Sequence, residues 1–478
     1  MFYLSLHIVL IVAITLRILL RDDLSPSSRL AWFTMVAVLP VAGSVLYFLF
    51  GEVTLGRAAN ARHRAIFDQL RATAGPALGS RAQIDRQIAP EYRAAFHYAA
   101  SINGFGITRG NLAELMPDAA SARARLIADI DAARRQVDVL YYIWLDDQTG
   151  TGVAEALIRA AGRGVRCRAM ADSLGARAII RSGLWRRMQE AGVETAVALP
   201  IGNLFRTLLF SRVDLRNHRK ITVIDGMITH CGSQNCADPE FRMKPAFAPW
   251  VDVMVRVTGP VVAQNQMLFA SDWLGRAGGQ PDDFPAICAP VSAGPEGFPA
   301  LVMGDGPTER GAATPQLFSV LTQSARESLT ISTPYFVPDA TVLEAICATA
   351  LRGVRVRIIF PKCNDSWIVS AASRSYYRKL LRAGVEIHEF RDGLLHAKTL
   401  TIDGLVSFLG SSNMDLRSFD LNYENNILLQ DHGLTGALIA RQDDFIAASD
   451  RVVLAQVEAW PAYRRIWNNV ISTIGPVL

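Results

Sequence analysis

An internal duplication limits what this chain can fold into. From residue 126 onward the sequence says nearly the same thing twice. The first pass has an apolar, strand-like run at 137–144, a helix from Val153, the segment Gly164-Val165-Arg166-Cys167-Arg168, a helical stretch at 184–190 and then Ala191-Gly192-Val193-Glu194. The second has a strand-like run at 329–336, a helix from Val342, Gly353-Val354-Arg355-Val356-Arg357, a helical stretch at 377–382 and Ala383-Gly384-Val385-Glu386. Each unit alternates a buried strand with an amphipathic helix, and each Gly-Val marks a helix stop followed by a strand. That is the pattern of β-α-β units. The predicted fold class is therefore α/β, with two similar lobes of mixed, largely parallel sheets flanked by helices, paired as a pseudo-dimer within one chain. The seam between the lobes is a natural place for a site. The Pro- and Gly-rich stretch 288–306 reads as the linker between them.

Both repeats run into one pattern. The first copy is His218-Arg219-Lys220-Ile221-Thr222-Val223-Ile224-Asp225 followed by Gly232-Ser233-Gln234-Asn235, and the second is His396-Ala397-Lys398-Thr399-Leu400-Thr401-Ile402-Asp403 followed by Gly410-Ser411-Ser412-Asn413. His and Lys at positions i and i+2 of a strand share a face, and the apolar residues after them anchor the other. Asp-Gly at 225–226 and 403–404 then predicts a tight hairpin. The returning strand brings Gly-Ser-x-Asn back beside the His-Lys pair, with glycine permitting close backbone approach and Ser and Asn supplying uncharged donors. Two lobes face to face supply two imidazoles, two ammoniums and two amides. Such a set suits a phosphodiester: one imidazole attacks phosphorus, the other protonates the leaving oxygen, and Lys220, Lys398, Asn235 and Asn413 hold the phosphate oxygens. A lone His-x-Lys on a strand would be an ordinary structural pair. An eight-residue pattern with the same sequel, repeated at matched places of a duplication, is not.

The first fifty residues carry a different message. Charged residues make up 19% of the chain, below the roughly 25% of a typical soluble protein, and mean hydropathy is +0.19. Much of the apolar excess lies in 2–20, interrupted by His7 and Arg17, and in 30–50, which holds no charge. As helices these would span about 28 and 32 Å, enough for a hydrocarbon core of about 30 Å. A two-helix transmembrane hairpin is expected, joined by a polar turn at 21–29. The first segment lacks the basic start and small-residue cleavage site of a secretory signal, and a second span follows at once. Residues 51–100 carry seven arginines against four acids, and the connector 21–29 only two arginines, so the distribution of basic residues favours cytoplasmic catalytic lobes. The expected organisation is a membrane hairpin over 1–55, a juxtamembrane connector over 56–110, a first lobe over 111–287, a linker over 288–306 and a second lobe over 307–478. Six cysteines are too few for a disulfide scaffold. Neither Cys231 with Cys236 nor His388-Glu389, whose HExxH partner position holds Asp392, makes a zinc motif. No metal or other cofactor is expected, since the lysines take the part of a divalent ion. A net charge of +5 permits an anionic partner without naming one.

The twin HxKxxxxD…GSxN elements resemble those of the phospholipase D superfamily. Ala31-Trp32, the run from Pro40 to Tyr47-Phe48-Leu49-Phe50-Gly51-Glu52, Arg216-Asn217-His218-Arg219-Lys220, Phe269 with Asp272-Trp273, and Ser332-Thr333-Pro334-Tyr335-Phe336-Val337-Pro338 are similar to the bacterial cardiolipin synthases within it. The resemblance implies that one histidine becomes a covalent phosphohistidine, with His218 as nucleophile and His396 as acid and then base. It places Lys220, Lys398, Asn235 and Asn413 on the phosphate, and makes Asp225 and Asp403 members of the catalytic motif. The strand argument instead puts those two aspartates at the hairpin turn, in a structural role. The resemblance also implies a second acid that orients each histidine, for which Asp252 and Glu424 are the candidates. Tyr141, Tyr142, Trp144, Tyr335 and Phe336 either line a lipid-facing mouth or belong to the core.

The implied reaction moves a phosphatidyl group from one phosphatidylglycerol to another in a bacterial inner membrane, giving cardiolipin and glycerol. Phosphatidylglycerol and membrane lipid are the expected partners. A phospholipase D hydrolase, or a transferase using another acceptor, is the alternative. A nuclease fits poorly with a membrane anchor, so no nucleic-acid partner is expected, and a lipid-binding scaffold without activity fits poorly with two intact motifs.

Overall fold

The computed structural model describes residues 2–22, 24, 26–51, 57–200, 214–285 and 297–473. The first repeat supplies strands β1 (Thr108–Leu115), β2 (Gln136–Tyr141), β3 (Arg166–Asp172), β4 (Glu194–Ala198), β5 (Lys220–Ile224), β6 (Ile228–Gly232) and β7 (Met254–Thr258). The second supplies β8 (Phe298–Asp305), β9 (Ser328–Ser332), β10 (Arg355–Pro361), β11 (Glu386–Phe390), β12 (Thr399–Ile402), β13 (Val406–Gly410), β14 (Asn422–Gln430) and β15 (Ser449–Val452). They join in one sheet, ordered β4-β3-β2-β5-β6-β7-β1 and continuing as β8-β14-β13-β12-β9-β10-β11-β15. Read outward from the β1–β8 junction, the first seven strands follow the same order on both sides and β15 is added at the outer edge of the second, so the duplication becomes a pseudo-twofold.

The local signals work identically in both lobes. Asp147 and Asp339 each accept the backbone N–H three residues on, capping the helices Gln148–Gly162 and Ala340–Leu351. Those helices stop before Gly164 and Gly353, whose φ of 84° and 95° a side chain would resist. The sheets are mixed, but not largely parallel as predicted. Only β2-β3-β4 and β9-β10-β11 are parallel sets, and the neighbours toward the junction are antiparallel. The Asp-Gly hairpins are the reason, because a two-residue turn can only join antiparallel strands.

Two boundaries also differ from the sequence reading. The predicted linker 288–306 contains β8, which pairs with β1 on one side and β14 on the other and so lies at the middle of the molecule. The predicted connector 56–110 is built into the lobes. Its helix Arg57–Ala74 packs on the helix Val262–Ala277. Its helix Arg93–Asn103 buries Ala95, Phe96, Ala99 and Ala100 in the core of the second lobe, beside Leu317 and Leu321. Alternating small and aromatic side chains let this helix sit close against its neighbours.

At the N-terminus, α1 (Phe2–Leu19) packs against a second apolar arm that is not one helix but three pieces, α2 (Pro26–Val38), α3 (Pro40–Leu46) and a π-helical turn, Tyr47–Gly51, and that folds back so that Arg21 donates to the Gly51 carbonyl and Arg17 lies over the Phe48 ring at 5.6 Å. Pro40 has no N–H to donate and disfavours a helical Leu39, which takes φ −127°, ψ 71°. Among the described residues no helix is long and apolar enough to cross a membrane. The arms meet through Ile14, Ile18, Trp32, Val36 and Tyr47, while Val9, Val12, Leu16, Phe33 and Val41 face outward.

Candidate active site

The chemistry-bearing residues sit where β5 and β12 begin. His218 and Lys220, like His396 and Lys398, share one face, and each lysine Nζ donates to the carbonyl of its own histidine at 2.7 and 2.6 Å. At the far end of each strand the aspartate closes the turn. Asp225 and Gly226 have φ of 53° and 71°, and Asp403 and Gly404 51° and 68°, the doubly left-handed turn that matches sheet twist. The Asp225 carboxylate accepts the backbone N–H groups of Arg134, Arg135 and Gln136, and Asp403 accepts those of Arg326, Glu327 and Ser328. Both aspartates thus lie a strand's length from the imidazoles. Their grouping with the catalytic residues gives way to the turn role that the strand argument gave them.

The returning strands end at Gly232 and Gly410. A Cβ at either would lie 2.2 or 2.3 Å from a backbone oxygen, that of Val253 or Asn425, so only glycine lets the following Ser reach the neighbouring strand. There Ser411 Oγ donates to Glu424, and Ser233 bonds both Asp252 and the Val253 N–H. The serines therefore serve the acids rather than standing free for a ligand.

The acids are crossed between lobes. His218 of the first lobe has its Nδ1 2.9 Å from Glu424 Oε2 of the second, and His396 of the second has its Nδ1 2.7 Å from Asp252 Oδ1 of the first. Backbone bridges make the crossing possible. Residues 216–217 pair in parallel with 422–423, and 394–395 with 250–251, while the His218 and His396 N–H groups donate to the Tyr423 and Val251 carbonyls at 2.9 and 2.8 Å. Tyr142 packs on the His218 ring and Trp250 on the His396 ring, with centroids 4.9 and 4.6 Å apart. Tyr141, Trp144 and Phe336, by contrast, are core. Tyr335 is half-buried and donates to Asp365 at 2.7 Å.

Burial sets the protonation states. It pushes His218 down to about 4 against the pull of Glu424, and lowers His396 as well, helped by Lys398. It lowers Lys220 to about 8 and Lys398 to about 7, despite nearby carboxylates. For the acids, burial is outweighed by the facing imidazoles and lysines, which hold Asp252 near about 2 and keep Glu424 below the usual carboxylate range. Glu424 also accepts Ser418 Oγ at 3.0 Å and Asn422 Nδ2 at 3.2 Å. The resting site at neutral pH thus holds two carboxylates, two neutral imidazoles and two lysines poised between charged and neutral. Asn235 uses its Oδ1 to accept the Ile143 N–H at 3.2 Å, which leaves its NH₂ for an oxyanion. Asn413 gives one N–H to Ser418 Oγ at 3.2 Å and retains the other.

Comparison with known proteins places the chain in a family. A family model described as "Cardiolipin synthase, PLD-like domain" matches residues 126–273 and 320–444, and one described as "Phospholipase_D-nuclease N-terminal" matches 9–52. Cardiolipin synthase A of Serratia proteamaculans is 37% identical over 98% of this chain and 96% of its own length, and that of Edwardsiella ictaluri is 35% identical over the same shares. The chain belongs to the cardiolipin synthase family. Its fold is also that of the Haemophilus influenzae phosphatidylserine synthase crystal structure, with a TM-score of 0.58 at 16% identity over 77% of this chain and 95% of that one.

Within this cardiolipin synthase framework, one of the positions at which the two half-sites differ was quoted in the sequence reading but given no role. Between His218 and Lys220 stands Arg219, buried, whereas Ala397 stands between His396 and Lys398. Arg219 donates through Nε to the Glu424 carbonyl at 3.1 Å and through Nη1 to Asp272 at 2.8 Å, and Asp272 also accepts Asn217 Nδ2 at 2.8 Å. Asn425 clips the same strand by accepting the Lys220 N–H at 2.9 Å. The signal was present in the two segments that carried the family resemblance, Arg216–Lys220 and Asp272-Trp273. Only the fold brings them together.

Proposed function

We propose that this chain transfers a phosphatidyl group between two phosphatidylglycerols, giving cardiolipin and glycerol. With Nδ1–H held by Glu424, His218 presents the lone pair of Nε2 to the phosphorus of the first lipid. The P–N bond forms as the P–O bond to the glycerol headgroup breaks, and His396 gives the departing alkoxide its proton. The negative charge of the phosphodiester, added to that of Asp252, favours the imidazolium that His396 must be for this step. Lys220, Lys398 and the amides of Asn235 and Asn413 hold the phosphoryl oxygens. In the second half, a hydroxyl of the second phosphatidylglycerol loses its proton to His396 and attacks phosphorus. The P–N bond breaks and His218 is restored. One phosphodiester is exchanged for another, so the sequence needs no nucleotide.

The observation that carries this reading is the crossed pairing of each histidine with an acid of the opposite lobe, which supports two oriented imidazoles acting on one phosphorus. The N-terminal arms, with apolar side chains turned outward around a small packed seam, are read as a hairpin inserted in the bilayer, which confines enzyme and substrates to one surface. We assign the lobes to the cytoplasmic side from the arginines that follow the hairpin.

The test is the chain reconstituted with phosphatidylglycerol vesicles, together with peptide mapping of the phosphorylated residue from lipid labelled at phosphorus, kept at alkaline pH because a histidine P–N bond is lost in acid. Cardiolipin with released glycerol, and label on His218, are expected. Phosphatidic acid as the sole product would make the enzyme a hydrolase, and label on His396 would reverse the two histidine roles.

A further inference from the structure

Beyond the hairpin, exposed apolar side chains gather on one face. The helix Ala462–Thr473 buries Ile471 against Val337, Ala371 and Ala372. Its Tyr463, Ile466, Trp467 and Val470, spaced i, i+3, i+4 and i+7, lie 75, 63, 50 and 48% exposed. Trp367, on the adjoining helix Trp367–Ser375, stacks on Trp467 at 5.9 Å and is itself 62% exposed. The first lobe adds Met243 to the same rim. The next residue, Lys244, pairs with Asp365 at 2.7 Å, two positions before Trp367.

The rim adjoins the site. Asp365 also accepts the Tyr335 hydroxyl, Asn364 Nδ2 donates to the Pro334 carbonyl at 2.6 Å, and Thr333 lines a cleft with Lys398, Ser412 and Asn426. Residues 462–473 carry Arg464 and Arg465 and no acid. Aromatic and branched residues on one face with arginines beside them are the composition of a helix that lies in a bilayer interface, its apolar face about 5–10 Å deep. The charge is complementary to an anionic phospholipid, the class of substrate proposed above.

We infer that this face, Met243 and Trp367 with the helix Ala462–Thr473, is a second membrane contact: it sits in the headgroup layer of an anionic bilayer and turns the mouth of the site toward lipid. The occupant is the bilayer itself. The inference rests on the phosphatidyl transfer reading, and its test separates the two.

The full chain is reconstituted in vesicles of phosphatidylglycerol and phosphatidylcholine. The emission lost on changing Trp367→Phe and Trp467→Phe is expected to be blue-shifted and quenched by brominated phosphatidylglycerol. The variant I466S/W467S/V470S is expected to lose about tenfold in kcat/KM on these vesicles. It should stay within about twofold of the parent on short-chain, monomeric phosphatidylglycerol, a measure that a misfolded variant would fail. Equal losses on both substrates, or tryptophan emission that stays red and unquenched, would overturn the inference. So would a variant that changes only the oligomeric state in light scattering, since the face would then belong to a second copy. No turnover of phosphatidylglycerol by the parent in either form, vesicle or monomer, would instead count against the proposed reaction.

Discussion

At the scale of single residues, the site is governed by what burial does to charge. An imidazole held near neutrality by desolvation is a better nucleophile than an imidazolium, and the acid behind it fixes which nitrogen is free. Glu424→Gln and Asp252→Asn keep the shape but remove the charge. Each is expected to lower kcat by about 10²-fold or more while leaving thermal unfolding near that of the parent. Rates within about threefold of the parent would remove the acids from the mechanism. The lysines make the second prediction. Their lowered values, about 8 for Lys220 and about 7 for Lys398, mean that ammonium is lost as pH rises through 7 to 8, so kcat/KM should fall on the alkaline side. His218, lowered to about 4, sets the acid limb, where protonation removes the lone pair. Bound phosphate raises the lysine values, so the alkaline limb in kcat should lie at higher pH than in kcat/KM. A K220R/K398R chain keeps its charge at any of these pH values and should lose the part of that limb due to the lysines, keeping the part set by His396, which must be protonated to act as the acid.

At the scale of elements, the two Asp-Gly hairpins hold β5 and β12 in register, and with them the histidines at the opposite strand ends. Each aspartate gathers three backbone N–H groups from the segment that leads into β2 or β9, and Asp403 accepts the Tyr92 hydroxyl at 2.9 Å as well. Asp225→Ala or Asp403→Ala would leave those donors unpaired and put a Cβ-bearing residue with no local hydrogen bond at positive φ. A cost of about 2 kcal/mol, read as a midpoint lowered by about 4–8 °C in thermal unfolding, is expected in each. What remains folded below the transition should turn over at nearly the parental rate. A large loss of kcat with an unchanged midpoint would return these residues to the chemistry. The Arg93–Asn103 helix shows how a segment between elements can be misread. Its apolar residues repeat at helical spacing, yet its place between the apolar hairpin and the repeats led to its reading as part of a juxtamembrane connector. The stripe formed by Phe96, Ala99, Ala100 and Asn103 has a partner only once the second lobe exists.

At the scale of the whole molecule, neither lobe owns a complete half-site. Residues 297–478 alone would have His396 without Asp252, and residues 1–285 would have His218 without Glu424. Each piece is expected to give no turnover, and co-expression of both to restore it. Activity in either piece alone would contradict the crossed arrangement. Orientation in the bilayer has its own readout. Cys363 is exposed, whereas Cys167, Cys231, Cys236 and Cys347 are buried. In a Cys288→Ser background, a membrane-impermeant maleimide should label Cys363 in inside-out vesicles and not in right-side-out ones. The reverse pattern would place the lobes on the outer side.

The sequence by itself determined the α/β class, the duplication and the place of the two aspartates at hairpin turns. All of these follow from periodicity and short-range chemistry, which act over a few residues and repeat. The tertiary structure decided which acid serves which histidine and the meeting of Arg219 with Asp272. It also decided the central place of β8 inside a supposed linker, and the break of the second apolar arm at Pro40. The first three depend on contacts between residues up to about two hundred positions apart, across a pseudo-twofold that no local pattern encodes. The break is the exception: its cause is one proline, legible in the sequence but outweighed there by the apolar run around it.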